Sequence, residues 1–538
     1  MVFARRSTTL LAAIIASCAM VLSLTACTSD NKTVVDGQTT VTSNSAGGVA
    51  VFTPSDGITL NQQMPLNKWA KLVPDLTKAL VDAGFKKGDI NHTTSDSLDK
   101  QSRAIQDFVV DHLSNNTTDD SGIAIAPDNM TLLVAPVVEA DASTRQYGDY
   151  VSQNLSTNDV TDEGATSDGE SSEDDSSNTE SDSTASDEQA QAVDRLVSSL
   201  KLAKESGMHV VLLGNSIEGY KPDAFVKFSD AQTIGKLQAE KMVSKLKLDK
   251  ASKDNPKYIE VLLPYTAVDE KGNANDSTFA QEAFRGIWQV LGSYYQKGVV
   301  ESPSGTLDGK STENDWQAVA YDAAKEGSTA KVLDKRLAKT DGQSTLTRID
   351  GIITMNDYIA SEVVKELDDL GYTGSAADIN PQITISGIVG NITGKKDLSR
   401  DAVPDPIKSP ENDNANDSSS SDDDADEDTS ASDKDRDSQW PLVTGYGAYV
   451  SNIPSIVNGK QWMTGMEDRQ TIATDIAQAC AKLNKDEALN SMPSTRNSEV
   501  GGVKKIPTIS EPLLAVSASN LKSALIDPGY ISLADAGL

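Results

Sequence analysis

The chain is poor in the residues from which most catalytic and metal sites are built. Its 538 residues include only three histidines and three cysteines, and aromatic residues make up 5% of the total. Neither the histidines nor the cysteines have the spacing of zinc ligands or of a redox pair. No Ser-His-Asp order, phosphate-binding loop or metal cluster is evident, so any acid–base mechanism would depend on carboxylates alone. The sequence therefore predicts a protein that is not an enzyme and that uses no cofactor and no metal.

Basic residues are also scarce relative to acidic ones, 48 against 80, which gives a formal net charge of −32. Two segments hold much of the excess: residues 155–190 contain twelve acidic residues, and residues 409–437, within an insertion at residues 399–439, contain another twelve. No basic stripe is visible, which argues against a nucleic-acid partner. The two segments are too polar to offset their ordering entropy, so we predict disordered, solvated insertions. Calcium binding is the alternative, although the ligand spacing of an EF-hand is missing.

One apolar run near the N-terminus has the pattern of an export signal. Residues 10–24 follow two arginines and lead into Leu24-Thr25-Ala26-Cys27. The run is too short and wrongly flanked for a membrane-spanning helix, and it fits a secretory signal peptide. Leu-Thr-Ala-Cys resembles the bacterial lipobox, which implies lipidation (palmitate) of Cys27; an ordinary signal peptide with a chance cysteine is the alternative. We expect a signal peptide at 1–27, a flexible tether at 28–47 and a lipid anchor on the extracytoplasmic face of the cell membrane.

From residue 48 onward, apolar runs of strand length alternate with helical patterns. Residues 49–52, 131–138 and 209–213 are almost continuously apolar, as in parallel strands that are covered on both faces. Between such runs the apolar residues recur at helical spacing. On one of these helices Cys480 falls on the apolar stripe, where we predict a buried small residue. The alternation predicts doubly wound α/β sheets.

Several motifs from residue 225 onward occur in a characteristic order. They are Phe225-Val226-Lys227-Phe228-Ser229-Asp230, Asn356-Asp357 after a predicted strand, Val457-Asn458-Gly459-Lys460-Gln461, and Asp527-Pro528-Gly529-Tyr530. Their order resembles that of the type I periplasmic binding proteins, and most closely the sugar receptors of ABC importers of the multiple-monosaccharide and xylose type. The resemblance extends from residue 48 to the end, with the two acidic segments as insertions.

This resemblance implies two Rossmann-like α/β lobes that are joined by three hinge crossings. The expected N-terminal lobe comprises residues 48–224 plus 462–497, and the expected C-terminal lobe comprises residues 225–461 plus 498–538. A carbohydrate would bind in the cleft between the lobes, at the carboxyl ends of the strands. Closure of the lobes around the ligand would create the form that an ABC permease recognises, and the protein would act as a monomer.

The resemblance also implies which residues contact the sugar. An aromatic ring is expected to cover the C–H face of the sugar, and planar polar groups are expected to bind its hydroxyls. The candidates, with Tyr446 added as a residue particular to this chain, are Lys68, Trp69, Asn275, Asn356, Asp357, Tyr446 and Gln461. Three alternatives stay open: Trp69 as a core residue, Asn356 as a helix N-cap, and Asp276 in place of Asn275, where the match is loose.

The chain departs from the family pattern at three pocket positions. Gly214 and Asn215 stand where the family typically has Asp-Arg, and Gly447 stands where it has a second Asp. Each lost charge-assisted hydrogen bond is worth roughly 1.5–3 kcal/mol, so an ordinary monosaccharide pose is not expected to survive unchanged. Tyr446 and Tyr449 are candidates for refilling the site. An alternative function is that of a binding-fold lipoprotein with an eroded sugar pocket that acts as an envelope sensor or interaction protein; a glycosidase with paired carboxylates is a third.

Overall fold

The computed structural model describes residues 46–55, 65–115, 125–138, 145–156, 180–268, 275–338, 346–377 and 439–538. The predicted signal peptide, the predicted lipidation site Cys27, nearly all of the predicted tether and most of both acidic insertions lie outside these residues.

The first of two large sheets is built mainly from the N-terminal part of the chain. In spatial order its seven strands are β2 (Ile90–Ser95), β1 (Gly48–Pro54), β3 (Met130–Val134), β5 (His209–Leu213), β7 (Ala224–Lys227), β16 (Val503–Ser510) and β15 (Thr495–Val500). All neighbours are parallel except β15 and β16. Parallel strands align their carboxyl ends along one edge, and this edge is where a ligand site is expected.

The second large sheet has six strands and the same character. In spatial order they are β10 (Val300–Glu301), β8 (Lys257–Val261), β12 (Gly351–Ile353), β13 (Leu442–Tyr446), β14 (Met463–Met466) and β17 (Leu514–Ser517). Only β17 runs antiparallel to its neighbour. The described residues also form two short parallel pairs: β4 (Asn154–Leu155) with β6 (Ser216–Ile217), and β9 (Leu263–Pro264) with β11 (Ala320–Tyr321).

Helices cover both faces of each sheet. They are α1 (Trp69–Asp82), α2 (Leu98–Asn115), α3 (Glu180–Glu205), α4 (Ala231–Leu246), α5 (Thr278–Gln296), α6 (Trp316–Val319), α7 (Ser328–Arg336), α8 (Asp357–Leu370), α9 (Ile453–Val457) and α10 (Arg469–Leu483). In β1, Val49 and Val51 join a core cluster with α1 and α10, whereas Ala50 and Phe52 join one with α2 and α3. Burial on both faces explains the continuous apolar runs, and the prediction of doubly wound α/β sheets is confirmed.

The first acidic insertion is shorter than expected because its end is helical. Residues 180–190 were predicted to be disordered, but they form the first turns of α3. The later part of α3 buries Ala192, Leu196 and Leu200 against the first sheet, and this packing stabilises the helix. Acidic residues near a helix N-terminus are favoured by the helix dipole, so the polar sequence can extend the helix in this direction.

The chain passes between the two large sheets three times, as expected. The passages follow β7, β14 and β16, so they begin after Lys227, Met466 and Ser510. Each passage lies later than the expected boundary at 224/225, 461/462 or 497/498. The passages lie later because strand pairing holds more of the chain in each sheet than expected. β14 extends the second sheet beside β13, and β16 lies parallel to β7 in the first sheet.

Within the described ranges, none of the helices has both the length and the apolar character that crossing a bilayer requires. Cys480 is buried on the apolar face of α10, as predicted, and burial raises the pKa of its thiol far above the usual value.

Candidate functional site

The two lobes meet where strands of both sheets end. Asn67, just before α1, donates from its side-chain amide to the Tyr446 hydroxyl at the end of β13, at 3.1 Å. The Tyr446 hydroxyl also lies 2.6 Å from the hydroxyl of Ser229, which follows β7 in the first passage between the sheets. Tyr446, a predicted site residue, is therefore fully buried at the junction of the lobes.

A buried carboxyl group joins two of the passages. Glu467 lies directly after β14 and accepts the backbone N–H of Ser229 at 2.5 Å, and its carboxyl oxygen lies 3.4 Å from the Tyr446 hydroxyl. Burial raises the pKa of Glu467 to about 7, although these hydrogen bonds favour the charged form and oppose the rise. The group links the first and second passages and titrates near neutral pH.

Asp357 and Gln461, both predicted to contact ligand, are fully buried and bonded to each other. The Gln461 amide donates to one Asp357 oxygen at 2.7 Å, and the other oxygen accepts from the Tyr449 backbone N–H and the Thr464 hydroxyl, each at 2.9 Å. Burial raises the pKa of Asp357 to about 6 against these hydrogen bonds. A Cβ at Gly445 would overlap both side chains. The pair thus fixes the backbone at the end of β13, which carries Tyr446, and the residues just after it, which include Tyr449.

A stretch of chain between β3 and β4, residues 145–153, lies between the lobes and is called the cleft segment below. Gln146 contacts the second lobe through two acceptors: its side-chain oxygen accepts from the Asn356 amide at 3.0 Å, and its carbonyl accepts from the Tyr449 hydroxyl at 2.6 Å. The Tyr147 ring is completely buried, with its centroid 4.7 Å from that of Phe279. Burial raises the pKa of the Tyr147 hydroxyl.

The next residues of the cleft segment contact the start of α1 in the first lobe. One carboxylate oxygen of Asp149 accepts from the Lys68 ammonium at 2.7 Å, and the other accepts from the Trp69 backbone N–H at 3.0 Å. Tyr150 donates its hydroxyl to the Lys68 carbonyl at 2.5 Å, and its ring packs between Trp69 and Phe228. Ion pair, backbone and aromatic contacts together hold the cleft segment at this lobe.

The cleft segment ends in hydrogen bonds to the polar residues that follow β5 and β7. The Ser152 N–H donates to the Ser229 carbonyl at 3.0 Å, and the Gln153 N–H donates to the Asn215 side-chain oxygen at 3.0 Å. Asn215, which stands where the family pattern has Arg, therefore binds the chain's own backbone. A Cβ at Gly214 would lie 3.6 Å from Trp69 and from Phe228, which is ordinary van der Waals contact.

The predicted site residues fall into three groups. Lys68, Trp69, Asn356 and Tyr446 all contact the cleft segment. Asp357 and Gln461 lie behind them as a bonded pair. Asn275 bonds within its own loop: its amide and backbone N–H donate to the Thr266 and Ala267 carbonyls, and its carbonyl accepts from the Tyr265 hydroxyl. The Asn275 amide is satisfied at 2.8 Å by a residue nine positions away, so local turn geometry accounts for its place.

The structure shows the contacts that two of the open alternatives propose, those for Trp69 as a core residue and for Asn356 as a helix N-cap. Trp69 is 2% exposed and belongs to the core cluster of the first lobe. The Asn356 side-chain oxygen accepts the Ile359 N–H at 2.9 Å, so Asn356 caps α8, while its amide nitrogen points to Gln146. Each residue therefore has a structural contact and a contact with the cleft segment.

Sequence reasoning missed Asn67, Gln146, Tyr147, Asp149 and Glu467. The stretch Tyr147-Gly148-Asp149-Tyr150 carried a signal, since it places two aromatic residues beside a glycine in a chain with few aromatics. Its position next to the acidic insertion concealed that signal. Among the described residues, no group of three or more His, Cys, Asp or Glu side chains is arranged to hold a metal ion.

Comparisons with known proteins give structural matches only, because no protein-family model and no curated protein sequence matches the chain. A solute-binding protein of an ABC transporter from Clostridium phytofermentans with bound β-D-glucose is 17% identical, with coverage of 91% of this chain and 99% of the other and a TM-score of 0.45. A carbohydrate transporter solute-binding protein from Chloroflexus aurantiacus in complex with D-glucose is 18% identical, with coverage of 92% and 98% and a TM-score of 0.43. A periplasmic ribose ABC transporter protein from Conexibacter woesei is 12% identical, with coverage of 90% and 96% and a TM-score of 0.42. The fold assignment therefore rests on this chain's own sheet order and its three passages.

Proposed function

We propose that the protein is a lipid-anchored, extracytoplasmic solute-binding protein that captures a carbohydrate between its two lobes and delivers it to an ABC importer, without catalysing a reaction. The observation that carries this proposal is the set of groups around the cleft segment. Asn356 and Tyr449 donate hydrogen bonds to the side-chain and carbonyl oxygens of Gln146. The Phe279 ring packs against the ring of Tyr147. Amide and hydroxyl donors beside an aromatic face are what a saccharide, with its hydroxyls and C–H face, requires.

The architecture supports capture by lobe closure. Three passages join the lobes, and two of them meet at Ser229 and Glu467, which are bonded to each other. A ligand that binds both lobes stabilises the closed arrangement, and a membrane permease can recognise that arrangement. The resemblance of the sequence motifs to sugar receptors of ABC importers supports the same function.

The anchor is a separate part of the proposal. Lipidation of Cys27 would place the protein on the extracytoplasmic face of the membrane. Expression in a bacterial host followed by membrane fractionation tests this: the native chain is expected in the membrane fraction, and Cys27→Ser is expected to lose the lipid. An unmodified thiol at Cys27 in membrane-bound native protein would contradict the anchor.

A second candidate function is that of an interaction protein whose cleft is permanently filled. The cleft segment favours it, since this segment already satisfies Lys68, Asn356 and Tyr449. Gly214 and Gly447, which replace family carboxylates, favour it as well. In this case no saccharide would enter, and the surface of the closed molecule would bind another envelope protein.

Thermal unfolding of the mature chain with a panel of mono- and oligosaccharides separates the two candidates. A ligand that binds only the folded state stabilises it by about 2.7 kcal/mol at 100 times its Kd, so the unfolding midpoint should rise and then saturate. Sorbitol at equal concentrations is the control, because a non-binding polyol gives no saturation. If no saccharide raises the unfolding midpoint in a saturable way, the interaction protein is favoured. Release of a hydrolysed product would contradict both candidates.

A further inference from the structure

The cleft segment carries a carboxylate into the space between the lobes. Asp149 accepts from the Lys68 ammonium at 2.7 Å and from the Trp69 N–H at 3.0 Å, and the side chains of Asp149 and Lys68 are only 18% and 15% exposed. Separating such a shielded charged pair costs free energy, because each charge would remain partly buried without its partner.

The start of α1 offers no substitute for this carboxylate. Its first turn contains no acidic residue, and its N-cap, Lys68, makes no side-chain capping hydrogen bond. A ligand that displaces the cleft segment therefore uncovers both the Lys68 ammonium and the Trp69 N–H. A neutral sugar can offer these donors only hydroxyl oxygens, whereas a carboxylate restores a charge-assisted hydrogen bond and the counter-charge.

The surroundings are suited to an added negative charge. Gly214 and Gly447 stand where two family carboxylates would repel an anion. Asp357 and Glu467, two carboxyl groups near the cleft, are buried and accept hydrogen bonds from their own surroundings. The departures that weaken a neutral-sugar pose therefore favour an anionic ligand.

We propose that the ligand is an acidic saccharide whose carboxylate replaces that of Asp149 at Lys68 and the Trp69 N–H. Its ring takes the space that Tyr147 occupies against Phe279. The inference rests on the proposed function, since it names the class of carbohydrate that the cleft accepts. Asp149 is, in these terms, a tethered competitor that the ligand must displace.

Isothermal titration calorimetry in a buffer free of carboxylates tests the proposal on the mature chain. The probes are D-glucuronate against D-glucose and D-galacturonate against D-galactose, with D-glucose 6-phosphate as a different anion. A uronate is expected to bind at least about 10-fold more tightly than its neutral counterpart, as a hydrogen bond to a charged group is worth roughly 1.5–3 kcal/mol. Asp149→Asn is expected to raise uronate affinity several-fold, because it weakens the competitor.

Variants of the lysine locate the effect. Lys68→Gln should bring the uronate and neutral affinities within about threefold of each other, and Lys68→Arg should restore much of the preference. Lys71→Gln, at an exposed position of the same helix, is the matched control and should keep the preference. Circular dichroism of each variant distinguishes a lost contact from a lost fold.

The possible outcomes separate this inference from the proposed function. Equal or tighter binding of the neutral sugars would overturn the acidic ligand and leave carbohydrate capture standing. Tighter binding of glucose 6-phosphate than of either uronate would overturn the carboxylate. If neither the native chain nor Asp149→Asn binds any saccharide, both proposals fail.

Discussion

Among single residues, Glu467 has the clearest consequence for stability. Its pKa is raised by burial from an ordinary 4.5 to about 7, so the folded chain holds this proton over a range in which the unfolded chain has released it. Folding is therefore coupled to proton binding between about pH 4.5 and pH 7. The contribution of this group to stability is most favourable at the acidic end and is lost as the pH rises through about 7.

Glu467→Gln should remove this dependence. The amide cannot ionise, and its side-chain oxygen can still accept the Ser229 N–H. We expect the native chain to lose on the order of 2–3 kcal/mol relative to the variant between pH 4.5 and pH 8, since one pKa unit corresponds to about 1.4 kcal/mol. Urea unfolding at several pH values measures the difference. Parallel stability curves for the two proteins would show that Glu467 has an ordinary pKa.

The residue scale also shows what a motif can and cannot predict. Asn356 was identifiable from the sequence because a helix N-cap and a strand end are local features, and both were found. Its contact with Gln146 joins positions 210 residues apart, and no periodicity or spacing encodes such a pair. Asn275 stays a prediction: the motif match was loose, and the side-chain amide donates to the nearby Thr266 carbonyl.

At the scale of elements, the cleft segment is the feature that distinguishes this chain from the expected pattern. It contains one turn of 3-10 helix at Arg145–Tyr147, and Gly148 follows with φ of +99°. This left-handed conformation is accessible to glycine at little cost. A Cβ at Gly148 would lie 2.6 Å from the Asn67 carbonyl oxygen, so the turn fits against the start of α1 only without a side chain.

Gly148→Ala should consequently loosen the cleft segment. Gly219→Ala is the matched control, because Gly219 also has positive φ, at +69°, but nothing lies within 4 Å of its added Cβ. Both variants should lose about 1–2 kcal/mol of unfolding free energy because alanine disfavours the left-handed backbone conformation. Gly148→Ala should lose at least about 1 kcal/mol more because its Cβ clashes with Asn67. Denaturant unfolding compares them. Equal losses would indicate that the segment is not held against Asn67.

At the scale of the whole molecule, much of the architecture followed from the sequence. Apolar runs such as His209–Leu213 must be strands buried on both faces, and their alternation with helices leaves few topologies. The passages were harder to locate. β16 has the sequence Val503–Ser510, in which charged residues interrupt the apolar pattern, and its parallel partner β7 is far away along the chain.

The site was only partly predictable because it forms between the two assembled lobes. The strand ends that carry Asn356 and Tyr446 were recognised, as was the first helix with Trp69. The occupant of the space between them was not, because it comes from a stretch beside an acidic insertion. Its contacts with Lys68 and Asn356 arise only when both lobes are assembled.

Hydrogen–deuterium exchange of the cleft segment tests the central claim that a saccharide takes its place. In the ligand-free chain the backbone N–H groups of Asp149, Ser152 and Gln153 are hydrogen-bonded, so they should exchange slowly. Saturating D-glucuronate, or D-glucose if neutral sugars bind more tightly, should accelerate exchange in the peptide covering these residues while strand β3 stays protected. Bound saccharide with undiminished protection of the cleft segment would contradict the account.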